Sequence, residues 1–479
     1  MESSRMFRCG AVFLLIVALA ARVVDAQDAA RPDPSASSTP APEATPATSQ
    51  PTAAPASQPA GPLAMSYSGD LLHRPALTGD WLGGRNWLAD HGVKFDAQVV
   101  SYLQGNAYGG RSTNSSLGFS GTADYAFNFD FRKMGLWPGG FARIRAETKF
   151  GQSINPDAGA ISPPNFNATL PMPGDPGLTT LTEYWIMQFV SEKLGFIAGQ
   201  VDLTGLPGQN VFASDRYGQF LNSSLWQNPV AISTVPYSTM AAGAFYAPTE
   251  WFEGATLICD SYGTATRSGF SEAFHGPQAV SVAQVMSFHI KPFGLPGTQR
   301  LSFSYSDRPR VGFEDLDGRL QLPGTRAPLV VRAARRLLAS PDKQSDGWAF
   351  WYDFDQYLFT EPEDPQQGWG VFGRFGWSPG EINPVESFYS LGLGGKGVIP
   401  TRDHDRFGLG YYMLNLTDDL PSFMHANAEQ GVELFYNIEI TPWLHITPDV
   451  QVIIHPGGAT DSRAREPAIV YGLRTQMNL

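Results

Sequence analysis

Four ionisable residues at two-residue spacing, Arg143, Arg145, Glu147 and Lys149, form the densest chemistry in the chain. In an extended strand that spacing sets all four on one face, with Ile144, Ala146, Thr148 and Phe150 on the other. Such a row is costly to bury unless its side meets water. The opposite side is apolar, so one face is wet and one greasy. Mixed signs in one row offer donors and acceptors that could replace water around a hydroxylated solute. Glu183, Arg374, Glu433 and Glu439 are further polar candidates. Trp351, which shares a face with Asp353 and Asp355, is the aromatic candidate. The plainer alternative is that these residues only wet a sheet face and pair across strands.

Other motifs promise less. Gly392, Gly394 and Gly397 fit a phosphate-loop glycine spacing, but no βαβ pattern surrounds them and a flexible turn is expected. Asp403-His404-Asp405 is expected to be a solvated loop, not a cation site. The histidines lack paired metal-ligand spacing, and no G-x-S-x-G elbow occurs. Glu433 and Glu439 are six positions apart on one strand, about 20 Å. A glycosidase pair needs about 5 to 9.5 Å. Cys9 precedes a hydrophobic export core and Cys259 remains alone, a packed strand residue in expectation. No catalytic set, metal site or cofactor is expected.

The elements that must position the charged row show period two. Tyr125, Phe127, Phe129 and Phe131 oppose Asp124, Asn128 and Asp130; Trp348, Phe350, Tyr352 and Phe354 oppose Trp351, Asp353 and Asp355. Val432 to Ile440 and Val450 to Ile454 repeat the alternation. The mean hydropathy of -0.18 and a single N-terminal apolar run exclude a bundle of membrane helices. Barrel strands escape that test, because alternation hides their hydrophobicity. A soluble sandwich would alternate too. Aromatics at strand ends (Tyr411-Tyr412, Trp377, Trp443) and a C-terminal strand with Ile469, Tyr471, Leu473, Thr475, Met477 and Leu479 on one face favour a membrane wall. A net charge of -12 argues against nucleic acid as a partner.

The expected architecture is all-β, a transmembrane antiparallel barrel of about 16 strands wide enough for an aqueous channel. A short helix over residues 81–91, with Asp80 as N-cap and Gly92 as stop, precedes it. Residues 1–26 read as a cleaved signal peptide, with Arg5 and Arg8 before an apolar core. Residues 27–64, nearly all Ala, Pro, Ser, Thr and Gln, read as a disordered tether, and 65–479 as the barrel. The basic run 332–336 is expected to be a solvated loop.

The chain resembles the OprB-type carbohydrate-selective porins. The likeness is carried by Leu77-Thr78-Gly79-Asp80-Trp81, Gly84-Arg85, Met134-Gly135-Leu136-Trp137-Pro138-Gly139-Gly140 and Gly199-Gln200-Val201-Asp202. It continues through Asp355-Gln356-Tyr357-Leu358, Gly368-Trp369-Gly370-Val371-Phe372-Gly373-Arg374, Phe407-Gly408-Leu409-Gly410-Tyr411 and Thr447-Pro448-Asp449-Val450-Gln451. The resemblance implies passive diffusion of glucose and similar sugars across the outer membrane of a Gram-negative bacterium, past a charged constriction. Gln200 stands where the family often carries a basic residue. Expected partners are sugars in transit, outer-membrane lipid and lipopolysaccharide, the barrel-assembly machinery through the last strand, and copies of the chain in a homotrimer. The alternatives are a general non-selective porin, a barrel with a plugged lumen, or an exported glycan-acting enzyme.

Overall fold

A computed structural model describes residues 66–479, apart from 115–116, 172–177, 205–209, 266–277, 311–345, 382, 421–427 and 459–465. The stretches expected to be a signal peptide (1–26), a tether (27–64) and a basic loop (332–336) lie outside the described residues.

Alternation becomes geometry in β3 (Gly140–Gly151), where Ile144 is 45% exposed on the outside and Glu147 is fully buried on the inside. Fifteen further strands share this design. They are β1 (Val93–Tyr108), β2 (Gly118–Asp130), β4 (Thr179–Ser191), β5 (Leu194–Asp202), β6 (Ser238–Thr249), β7 (Phe252–Asp260) and β8 (Val280–Ile290). Then follow β9 (Gly297–Ser306), β10 (Gly347–Thr360), β11 (Gly368–Trp377) and β12 (Val385–Lys396). Last come β13 (Arg406–Leu416), β14 (Ala428–Thr441), β15 (Leu444–Ile454) and β16 (Ala468–Asn478). Each pairs antiparallel with its sequence neighbours, and β16 returns to β1, so the sheet closes into a 16-stranded barrel without edges. Short turns join strands at one rim and longer connections at the other, as in outer-membrane barrels, whose short turns face the periplasm.

Before β1 the helix is shorter than its sequence suggests. Trp81 and Leu82 adopt left-handed backbone (φ 50° and 61°), which ends a 3-10 turn, and α1 runs only over Gly84–Asp90. Asp80 is the N-cap of the 3-10 turn and Gly83 that of α1, and the Asp80 carboxylate accepts the Asn86 amide at 2.8 Å. Gly92 (φ 86°) ends the element as expected; a Cβ there would meet the Asp130 carbonyl at 2.5 Å. This segment laces the short-turn rim across the β1/β16 seam. The Leu77 amide donates to Asn478 O (2.8 Å), and the Arg85 guanidinium donates to Leu479 O (2.8 Å) and Phe95 O (2.9 Å).

The lumen is narrowed by the β5–β6 connection, whose described residues 203–204 and 210–237 turn inward and pack on β10 to β14. Phe212, Phe220, Leu225 and Val230 join Trp351, Phe372, Tyr412 and Phe435 in one apolar cluster. Small residues make the approach possible. A Cβ on Gly394 would lie 2.6 Å from Phe212, and one on Gly410 would lie 2.7 Å from Leu225. Gly392 and Gly394 are therefore strand positions that clear space for rings, not a flexible turn. Tyr412 also differs from expectation: it points inward at 1% exposure, away from any aromatic girdle. Asp405, expected to be solvated, is buried and clamps a short turn by accepting from Arg402 (2.7 Å), Tyr436 (2.8 Å) and the Glu439 amide (2.9 Å).

Wall charges hold the inward connections. Glu433 accepts the amides of Leu221 (2.6 Å) and Asn222 (2.9 Å). Glu429 accepts those of Ile161 (2.6 Å), Ser162 (2.9 Å) and Gly457 (2.8 Å). Arg374 donates to the Leu225 carbonyl (2.6 Å), and Arg474 to that of Gln219 (2.7 Å). Arg406 grips Asp215 at 2.6 Å. Each of these bonds except the Arg406–Asp215 ion pair satisfies a backbone group that would otherwise be stranded inside the barrel.

Glu433→Ala leaves two buried amides without partners, a loss of about 2–4 kcal/mol from the loop's attachment. The expected outcome is noisier, larger single-channel currents from a barrel that still shows heat-modifiable migration; quiet wild-type currents would contradict the clasp. A second test uses acid. Burial raises the Asp215 carboxyl, but Arg406 and the amides of Tyr217 and Gly218 outweigh burial and hold it below the usual carboxylate range. The stabilisation from this contact is then complete above the unfolded value of about 3.9 and lost as pH falls through the lower folded value. The thermal-stability gap between wild type and Asp215→Asn should stay constant from pH 7 to about 5 and close only in stronger acid.

Candidate functional site: a charged and aromatic passage

The inner face of β3 sets the site. A bulge shifts the β3–β4 register between Arg145 and Ala146, so that Glu183 stands opposite Arg145. The Arg145 guanidinium lies 2.9 Å from Asp124, 2.6 Å from Glu147, 3.0 Å from Glu183 and 3.2 Å from Asp202. Arg143 stands 3.6 Å from Glu183. From the inward connection comes Arg216, 2.6 Å from Glu147 and 3.6 Å from Asp202. Burial opposes the Arg216 charge, but Glu147 beside it keeps the guanidinium protonated far beyond its ordinary range. Burial likewise keeps the phenols of Tyr217 and Tyr237 protonated, and they donate to Asp124 and Glu147 respectively. The Trp185 indole donates to Glu183 at 2.9 Å. Arg143, Arg145 and Arg216 thus face Asp124, Glu147, Glu183 and Asp202 in one near-balanced network.

A second row crosses β9, β10 and β11, where Arg300, Asp353 and Arg374 are register partners. Arg300 contacts Asp353 at 3.0 Å and Asp355 at 2.7 Å. Two cavities lie between the rows. One, about 590 Å³, is walled by Arg143, Arg145, Glu183, Asp202 and Arg216 and reaches Tyr67 and Arg85 at the short-turn rim. The other, about 90 Å³, is walled by Phe166, Trp226, Tyr237, Asp353 and Arg374. Thr204, Ser214 and Trp226 belong to both walls. Trp226 stacks on Phe166 with ring centroids 5.2 Å apart. The two cavities, back to back across Thr204, Ser214 and Trp226, therefore border both flat rings and paired charges.

Of the residues singled out from sequence, the structure gathers Arg143, Arg145, Glu147 and Glu183 into the first row, and Asp353 and Arg374 into the second. Lys149 is half-buried further along β3. Trp351 is fully buried beneath the inward connection, and Glu433 holds that connection in place. Glu439 sits near the short-turn rim, 3.8 Å from His445. Gln200 is tied to Ser238 (2.8 Å) and to Thr264 O (3.2 Å). Sequence reasoning missed Asp202, Arg216, Tyr217, Trp226, Tyr237 and Arg300. Asp202 was within reach, two positions from Gln200 on a strand already picked out. Arg216, Tyr217, Trp226 and Tyr237 lie in a connection without periodicity; its length and its ring-rich, amide-rich stretch were the available signal.

The chain is similar to several known proteins. Porin B of Pseudomonas aeruginosa is 23% identical over 439 residues, covering 84% of this chain and 90% of that protein. A putative porin, QuiX, of Acinetobacter baylyi is 25% identical over 459 residues, covering 85% and 93%. The high-pH structure of Pseudomonas putida OprB superposes with a TM-score of 0.71 at 22% identity, over 86% of this chain and all of that one, which supports the fold. A family model described as carbohydrate-selective porin, OprB family, matches residues 115–479. With most of its length inside that match and a closed 16-stranded barrel around a charged passage, the chain belongs to the OprB family of carbohydrate-selective porins.

Proposed function

We propose that small neutral sugars, glucose among them, diffuse passively through this barrel past the Arg145 network and the Trp226–Phe166 platform. The observation that carries the reading is the pairing of the two walls. Three guanidiniums against four carboxylates exert little net pull on ions, yet supply donors and acceptors that can take over water's bonds to hydroxyls. The stacked rings offer a surface for the apolar faces of a pyranose. Each contact is weak and replaceable, as flux requires.

The outer-membrane barrel acts as a channel. On this reading residues 1–26 are an export signal that is removed and 27–64 a spacer in the periplasm. The assembly machinery reads β16, and three barrels associate in the membrane. A glycan-acting enzyme is disfavoured because Glu433 is committed to two backbone amides.

Conductance steps in planar bilayers test the proposal. Titrated glucose or maltose should lower the current, and Trp226→Ala should weaken that block about fivefold to tenfold, the loss of roughly 1–1.4 kcal/mol of ring contact. Current indifferent to every sugar would leave a general non-selective porin. Arg145→Ala removes the cation shared by four carboxylates, so the reversal potential in a salt gradient should move towards cation selectivity. An unmoved reversal potential in a folded variant would take Arg145 out of the ion path.

A further inference from the structure

At the short-turn rim Leu82 is fully exposed, at 108% of its reference area, with φ at 61°. A left-handed backbone is costly for a branched apolar residue, and Leu82 buries none of its side chain in return. Its neighbour Trp81, also left-handed, is 41% exposed and leans at a tilt against Phe95, with ring centroids 5.8 Å apart. Phe95 in turn lies 4.8 Å from Phe127 on the outer wall of β1 and β2. The outward aromatic stripe of the barrel therefore continues without a break onto the segment before β1. Met134, Leu136 and Trp137, all exposed, extend it on the turn against which Gly92 packs, and Arg132 and Lys133 flank them. The segment is held firmly in this pose. Arg85 is clamped over the Tyr67 ring at 3.9 Å while it bonds Phe95 O and Leu479 O. Elsewhere on the same rim, Phe293 repeats the device, fully exposed with φ at 56°.

We infer that residues 66–92, together with the 131–139 turn, form a docking surface for glycerophospholipid of the periplasmic leaflet, with Leu82 as the inserted side chain. Three observations select lipid over another occupant. The patch is continuous with the wall that faces acyl chains. Its rings sit at the end of the strands, where an aromatic residue straddles headgroup and chain. Its flanking cations lie beside the rings, where they can reach lipid phosphate. The exposed side chains of the segment thereby fix the depth of the barrel in the membrane, while its Tyr67 and Arg85 face the passage.

The test places an NBD fluorophore at Leu82→Cys in a Cys259→Ser background, in the full barrel. Host membranes are phosphatidylethanolamine–phosphatidylglycerol vesicles with nitroxide on shallow or deep acyl carbons. Shallow nitroxide should quench the label at least twofold more than it quenches one at Asn114→Cys on the opposite rim, and the quenching should persist in nanodiscs holding one barrel each. Quenching no greater than at Asn114 would overturn the inference, as would quenching that disappears in single-barrel discs, which would assign the patch to a second copy. If the labelled variant folds poorly, brominated lipid and intrinsic fluorescence serve instead. Trp81→Phe should then remove part of the lipid-dependent quenching of the wild type, and an unchanged quenched fraction would refute lipid contact.

Discussion

Everything inside this barrel depends on bonds between ionised wall side chains and the backbone of the connections folded into the lumen. A strand wall has no spare amides to offer, since its own are spent on neighbouring strands. Irregular chain inside the barrel must therefore find partners in side chains or in another inward connection, as the Phe166 amide finds the Leu221 carbonyl (3.0 Å). Carboxylates at Glu429 and Glu433 meet amides, and guanidiniums at Arg374 and Arg474 meet carbonyls. Polarity is matched at each contact, so the same charges that would be costly in an apolar core become the scaffold of the passage.

This division of labour explains what sequence can and cannot say about such a wall. Alternation made the strands and their wet face readable, and Arg143, Arg145, Glu147 and Glu183 come together because two-residue spacing and strand register bring them there. The number of strands followed from length and spacing. The commitments of individual charges did not follow. Glu433 shares the inward face with Arg145, yet it grips the loop while Arg145 borders the open space, and Arg374 does both. Only the path of residues 203–237 decides between these fates, and that path is set by distant packing.

Trp351 makes the same point for rings. It occupies an inward position that would be open to the lumen in an empty barrel, and the connection covers it completely. The ring that borders both cavities is Trp226, carried by the connection itself. Gly394, expected in a turn, and Gly410 both mark where the cover lies. A row of inward glycines on adjacent strands is thus a footprint of something packed against them, legible once the register is known.

The seam between β1 and β16 carries a kinetic consequence. Arg85 and Leu479 are 394 positions apart, and the strands they bracket are the first and last of the sheet. Pairing so remote in sequence closes the largest loop the fold contains, so the entropy of ring closure falls on this single join. Until it forms, both strands expose unpaired edges that invite foreign strands. The lacing by Leu77 and Arg85 adds bonds at that join, biasing a nearly finished cylinder towards completion and against reopening.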